Sequence, residues 1–360
     1  MVRQLPAVFA AVLTVAFTAV PAHADSIRDK QWYWSPLKVD QAHKVTKGAG
    51  VVVAVIDTGV DATHPDLRGA VLPGRQIVQN KPAGNEDGVG HGTGMAGLIA
   101  GRGHGSGDGI LGIAPEAKIL PVRPVNDTYF VGQGIRWAVG QGAKVITLAF
   151  EISPGEGLQA AIREAIAADV VIVGTSGNEG QEGNPREYPG AYEEVLTVGA
   201  VDRRNRVAPF SNHGAHVDLT APGVDITVPS PEYGYVQARG TSASAALVAG
   251  AAALIRAEHP ELSAADVVDR LTGTATDRGD KGKDDYYGAG QLNLLAALTA
   301  PQPKPSSAAP ATADAPVAAP GRTPADDGDG GIPPLLIVAA GVVLLAGAVT
   351  AVALVARRRH

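Results

Sequence analysis

Short, unbroken apolar runs separated by longer amphipathic stretches set the rhythm of this chain. Val51-Val52-Val53-Ala54-Val55-Ile56, Lys118-Ile119-Leu120-Pro121-Val122, Val145-Ile146-Thr147-Leu148, Val170-Val171-Ile172-Val173 and Val195-Leu196-Thr197-Val198 are rich in β-branched residues and show no polar alternation. That pattern predicts strands covered on both faces, as in a parallel sheet. Helical periodicity falls between and after them, over Gly94 to Ala100, Val131 to Gly140, Leu158 to Ala168 and Thr241 to Ala257. Ser263, with Asp266 three residues on, predicts a capped helix running to about Leu271. The expected fold class is therefore α/β, a mainly parallel central sheet with helices on both faces. The glycine-dense stretch Gly101 to Gly109 has no phosphate-binding Gly-Lys-Ser/Thr ending and reads as a flexible loop.

The two ends carry different patterns. Met1-Val2-Arg3, an uncharged stretch from Leu5 to Val20 and the small-residue exit Ala22-His23-Ala24 have the order of a signal peptide, residues 1–24. At the far end, residues 332–356 include an uncharged run from Leu335 to Ala356, followed at once by Arg357-Arg358-Arg359-His360. About 22 apolar residues span a hydrocarbon layer of ~30 Å, and the arginines mark the cytoplasmic side, residues 357–360. The sequence thus predicts a single-pass protein of the cytoplasmic membrane with its body outside and its tail inside. A Pro/Ala-rich linker, 301–331, separates anchor from body and favours extended, semi-stiff states. The body divides into an N-terminal extension, 25–48, and one large domain, 49–300. The extension is too short to fold alone, so it is expected to lie along the domain as a permanent brace.

Composition narrows the chemistry. The chain has 360 residues, 45% hydrophobic, with a net charge of -6 and no cysteine. Disulfide scaffolds, thiolate nucleophiles and cysteine-ligated metals are excluded. Basic residues do not cluster before the C-terminus, so nucleic acid is not the expected partner. No dense acidic loop suggests a cation site, and neither metal nor cofactor is expected.

In open parallel sheets, ligands meet the chain past the carboxyl ends of strands, which directs attention to the polar residues there. Asp57 follows the first strand, in Asp57-Thr58-Gly59. It reads equally well as a turn aspartate, and an aspartic-protease dyad would require a second such motif, which the chain lacks. His91 lies in Gly90-His91-Gly92-Thr93-Gly94, a small-residue entry to a helix. The other histidines, including His64, His104, His213, His216 and His259, read as surface or core residues. Ser242, in Gly240-Thr241-Ser242-Ala243, stands where an Ala-rich helix begins. A serine there is commonly an N-cap, but a nucleophile gains from the same place, since free N–H groups and the helix dipole stabilise an oxyanion. Asn178, in Ser176-Gly177-Asn178-Glu179-Gly180 after a strand, offers a neutral amide donor.

Asp, His and Ser in that chain order, with an amide donor between His and Ser, resemble the subtilisin-like serine proteases. The likeness runs from about Ala49 to Ala300 and includes His64-Pro65-Asp66-Leu67, Val198-Gly199-Ala200-Val201 and Ala221-Pro222-Gly223. The resemblance implies Ser242 as nucleophile, His91 as general base and then acid, Asp57 as the group that orients the imidazole, and Asn178 as an oxyanion donor. It implies peptide-bond hydrolysis through an acyl-enzyme, with protein or peptide substrates. The signal peptide, the start Arg28-Asp29-Lys30-Gln31-Trp32-Tyr33-Trp34, the linker and the C-terminal anchor are more narrowly similar to the mycosins, membrane-anchored subtilases of actinobacterial type VII secretion. That likeness implies a type VII membrane complex as partner; the rival reading is a structural one, in which the anchored fold serves mainly to stabilise such a complex, with catalysis secondary or lost. Two departures stand out. Ala246 replaces the family's proline, and Ala149-Phe150-Glu151-Ile152 stands where Ser-Leu-Gly-Gly is usual. Glu151 places an acid at the rim of the cleft, which predicts a preference for Lys or Arg in the few residues before the cut.

Overall fold

A computed structural model describes residues 27–105, 107–231 and 234–301. The segments predicted as signal peptide, anchor and tail, and all but the first residue of the predicted linker, lie outside the described residues. Among the described residues, no helix is long and apolar enough to cross a membrane.

Along the chain, β1 (Val52–Ile56) and β2 (Arg75–Gln76) precede a short hairpin of β3 (Arg102–His104) and β4 (Asp108–Leu111). Then come β5 (Lys118–Arg123), β6 (Val145–Leu148), β7 (Val171–Thr175), β8 (Leu196–Val201) and β9 (Leu219–Pro222). A second hairpin pairs β10 (Ile226–Ser230) with β11 (Gly234–Ala238). The helices are α1 (Val39–Ala42), α2 (His91–Ala100), α3 (Thr128–Gly140), α4 (Glu156–Ala167), α5 (Thr241–Glu258), α6 (Ala264–Gly273) and α7 (Leu294–Thr299).

The main sheet has seven strands in the order β2-β5-β1-β6-β7-β8-β9, all paired in parallel. The five predicted strands form its centre. Although both faces are buried, the pleat still sorts side chains by a period of two. Val53 and Val55 enter the core beneath α2 and α5, whereas Ala54 and Ile56 enter the core beneath α3 and α4. Every alanine of α5 except the half-buried Ala257 near its end is buried, so this helix runs through the first core rather than over it. Arg256 near its end is buried, and its guanidinium is held by Asp169 (2.9 Å) and the Leu262 carbonyl (2.6 Å). Ser263 and Asp266 form the predicted reciprocal cap at the start of α6.

The stretch Gly101 to Gly109 departs from its expected flexible-loop reading, because β3 and β4 build an ordered hairpin from it. Buried Asp66 accounts for this order. Its carboxylate accepts the Ile110 N–H (2.7 Å), pairs with His104 Nδ1 (2.6 Å) and accepts the Tyr235 hydroxyl (2.9 Å). A buried carboxylate requires such partners, and they tie the hairpin to the Pro65–Leu67 turn and to β11. The segment 27–48 packs on the same core. Tyr33 is fully buried, Gln31 exchanges hydrogen bonds with the Leu111 backbone, and Trp32 donates to the Val224 carbonyl.

Candidate active site

Three neighbouring strands, β1, β6 and β7, end on one side of the sheet, about 4.8 Å apart in the hydrogen-bonding direction, and each delivers part of one cleft. The chain's path lies to one side of β1 for β2 and β5 and to the other for β6 to β9, which makes this the ligand-bearing end of the sheet. Asp57 follows β1, Ala149 to Glu151 follow β6, and Asn178 follows β7. From the opposite wall, α2 contributes His91 as its first residue and α5 contributes Ser242 as its second. Asp57, His91, Asn178 and Ser242 line a single cleft of about 520 Å³. All four residues singled out in the sequence are therefore brought together.

Asp57 is buried, and both its carboxylate oxygens lie 2.9 Å from His91 Nδ1. Its Oδ1 also accepts the Thr58 N–H at 2.7 Å, which pins the carboxylate at the strand end. For the carboxylate to accept a hydrogen bond, the ring must carry hydrogen on Nδ1, so Nε2 of the neutral ring is the basic nitrogen. Burial opposes the imidazolium, but the Asp57 hydrogen bond and the charges of Asp57, Asp87 and Glu151 outweigh it and raise the His91 pKa above its ordinary value.

Why a helix starts at His91, three residues earlier than its apolar pattern predicts, follows from Gly92. A Cβ there would lie 2.0 Å from the Gly59 carbonyl oxygen, so only glycine lets the first turn of α2 press against the Asp57 turn. Asp87 completes the joint. Its carboxylate accepts from Thr58 Oγ1 (2.9 Å), from the N–H groups of Gly90 (2.8 Å) and Thr93 (2.9 Å), and from Thr93 Oγ1 (2.6 Å). Burial opposes its ionisation, yet the hydrogen bonds from Thr93, Gly90 and Val89 prevail and hold its pKa below its ordinary value. Sequence reasoning missed Asp87. A carboxylate four residues ahead of a glycine-rich helix start was the available signal.

Ser242 is not the N-cap. That position belongs to Gly240, whose φ of 154° suits glycine, and Ser242 lies inside the first turn, where N–H groups lack intrahelical acceptors. Its hydroxyl donates to the Ala149 carbonyl at 3.0 Å. Asn178 is oriented from the same turn. Its Oδ1 accepts the Thr241 N–H (2.9 Å) and the Thr241 hydroxyl (3.2 Å), and Thr241 Oγ1 is also bonded to Thr175 Oγ1. Because a backbone N–H can only donate, Oδ1 must face Thr241 and Nδ2 must face the cleft. There Nδ2 donates to Glu151 Oε1 at 3.1 Å.

A charge-bearing pair, an activated nitrogen, a hydroxyl at a helix start and an aimed amide are the parts of nucleophilic acyl transfer. The comparisons agree with that chemistry. The sequence model described as the Subtilase family matches residues 48–290. Subtilisin DY of Bacillus licheniformis is 40% identical over 259 residues, covering 70% of this chain and 92% of that protein. Among solved structures, the serine protease MycP1, described as an essential component of the type VII (ESX-1) secretion system, superposes with a TM-score of 0.67 at 32% identity. The match covers 78% of this chain and 90% of that one. MycP3 protease from the type VII (ESX-3) secretion system gives a TM-score of 0.66 at 30% identity, over 78% and 90% of the two chains.

Proposed function

This chain belongs to the subtilase family of serine proteases, and on that premise we propose that it is a membrane-anchored endopeptidase acting outside the cytoplasmic membrane, in association with type VII secretion. The observation that carries the catalytic reading is the Asp57–His91 pair, which leaves Nε2 as the base in a cleft shared with Ser242 and Asn178.

In the reaction so assigned, the Ser242 hydroxyl leaves the Ala149 carbonyl and gives its proton to His91 Nε2 as Oγ attacks the scissile carbonyl carbon. The oxygen of the tetrahedral intermediate is received by Asn178 Nδ2 and the Ser242 N–H. Asp57 stabilises the imidazolium without taking its proton. His91 then protonates the departing amine, and a water activated by the same nitrogen releases the acyl group from Ser242.

The anchoring part of the proposal rests on the sequence alone, on the signal peptide 1–24 and the apolar run Leu335 to Ala356 ending in Arg357, Arg358 and Arg359. The likeness to MycP1 and MycP3 supports the secretion partner. A fluorophosphonate probe on membranes of cells expressing the full chain tests the enzyme. Wild type is expected to be labelled and Ser242→Ala to be silent while folding normally. A labelled Ser242→Ala protein, or an unlabelled folded wild type, would overturn the assignment.

A further inference from the structure

The donor that the reaction needs is held, in this structure, by a carboxylate. Thr241 turns the Asn178 amide so that Nδ2 faces the cleft, and there it meets Glu151 Oε1 at 3.1 Å. Glu151 stands on the segment after β6, two residues past the carbonyl that receives the Ser242 hydroxyl. The next residue, Ile152, is paired with Tyr188, its N–H donating to the Tyr188 carbonyl at 2.7 Å, so the segment is not a free strand end.

Two further carboxylates approach the same place. Glu179 accepts the Asn178 backbone N–H at 3.0 Å. The Glu187 side chain lies against Gly177, close enough that a Cβ there would come within 2.9 Å of its Cγ. All three glutamates are half-buried, and among the described residues none of them forms an ion pair with Lys or Arg. The charged neighbour on the other side is His91, while Arg239, which also lines the cleft, lies over the Phe210 ring. Burial, with the repulsion of Glu179 and Glu187, raises the Glu151 pKa above its ordinary value.

Such an arrangement opposes the chemistry as it stands. An oxyanion forming at Asn178 Nδ2 meets an anion on the same nitrogen and two more beside it, and like charges at this range repel strongly in a partly desolvated cleft. A substrate can supply the missing charge. The oxygen received by Asn178 belongs to the residue before the cut, and that residue's side chain branches from the atom next to the carbonyl. It is therefore the substrate side chain brought nearest to Glu151, Glu179 and Glu187.

We propose that Glu151 is a specificity-determining residue: its carboxylate holds the Asn178 amide in the free enzyme, and a Lys or Arg immediately before the scissile bond draws it off. The cation pairs with Glu151, frees Nδ2 for the oxyanion and neutralises the repulsion, so a basic side chain lowers the barrier as well as adding affinity. A neutral side chain of the same shape leaves one Nδ2 hydrogen on Glu151 and the carboxylate charge beside the oxyanion.

This inference rests on the protease reading of the site, and the experiment separates the two. Two peptides differing only in Arg or citrulline before the cut are hydrolysed by the full chain, alongside fluorophosphonate labelling of Ser242. Wild type is expected to favour the Arg peptide in kcat/KM by about tenfold or more, the scale of close charge pairs at interfaces, with part of the difference in kcat. The ratio should shrink as salt is raised. Glu151→Gln keeps an oxygen acceptor for Asn178 but removes the charge, and its ratio is expected to fall to within about threefold. Glu151→Ala provides the same comparison if the glutamine variant is poorly folded. Labelling with no preference for Arg in wild type, or an undiminished preference in both variants, overturns the inference and leaves the protease reading intact. Absence of labelling in folded wild type overturns both.

Discussion

Gly92 and Gly59 touch so closely that the first turn of α2 and the turn after Asp57 behave as one joint: a Cβ on Gly92 would fall 2.0 Å from the Gly59 carbonyl oxygen. The contact sits one residue from His91 and two from Asp57, so whatever opens the joint also separates the 2.9 Å pair. Gly92→Ala is therefore expected to lower stability by about 1–3 kcal/mol, the usual cost of overpacking, and to slow probe labelling of Ser242 even well below its melting temperature. A thermal melt together with a labelling time course checks this. A variant that melts early but labels at the wild-type rate would show that the joint serves folding alone.

The pH profile follows from the charges around His91. As general base the ring must be neutral, and Asp57, Asp87 and Glu151 favour its protonated form over the opposition of burial. Activity should therefore rise as pH passes through a folded-state pKa that lies above the ordinary imidazole value of about 6.5. Glu151→Gln removes one of the three charges, so the rising limb should move to lower pH, whereas an exposed distant change such as Glu164→Gln should leave it in place. kcat/KM measured across the neutral range for the three proteins decides the point, and a limb unmoved by Glu151→Gln would contradict the charge argument.

The oxyanion arm gives a graded pair of variants. Asn178→Ala deletes the donor and is expected to reduce kcat by about a hundredfold to a thousandfold with little change in KM. Thr241→Val keeps the donor but removes the hydroxyl that accompanies the Thr241 N–H on Oδ1, so it should fall between wild type and Asn178→Ala. Steady-state kinetics on one peptide suffices. A Thr241→Val enzyme as slow as Asn178→Ala would mean that Thr241 does more than orient the amide.

What the sequence made legible here was whatever lies close along the chain or is written in apolar runs. Strands β1, β5, β6, β7 and β8 are buried on both faces and so advertise themselves, whereas the edge strands do not: β2 has two residues, Arg75 and Gln76, and β9 reads Leu219-Thr220-Ala221-Pro222. The start of α2 was hidden because Gly92 argues against helix, and the reason for glycine there, the Gly59 contact, lies 33 residues away. Asp57, His91, Asn178 and Ser242 were legible because each follows a strand or opens a helix. The hold of Glu151 on Asn178 was not, since that bond spans 27 residues between two strand ends and depends on which way Thr241 turns the amide.

The N-terminal segment offers the last prediction, one about stability rather than turnover. Tyr33 is fully buried in the core shared with α2 and α5, and its hydroxyl accepts a hydrogen bond from Gln31 Nε2 at 2.7 Å while Gln31 is bonded to the Leu111 backbone. Burial, partly offset by that hydrogen bond and the charge of Arg28, pushes the phenol pKa upward, so Tyr33 stays neutral throughout the physiological range. Tyr33→Ala thus empties a ring-sized space and removes the Gln31 bond to its hydroxyl, while the bonds of Gln31 to Leu111 remain, with an expected cost of about 3–5 kcal/mol. Exposed Lys30→Ala, three residues earlier, should stay within about 0.5 kcal/mol of wild type. Denaturant melts of both variants make the comparison. If the segment braces the domain, Tyr33→Ala will shift the midpoint of the whole transition; a separate early phase ahead of a main transition that keeps the wild-type midpoint would instead mean that the segment peels away on its own.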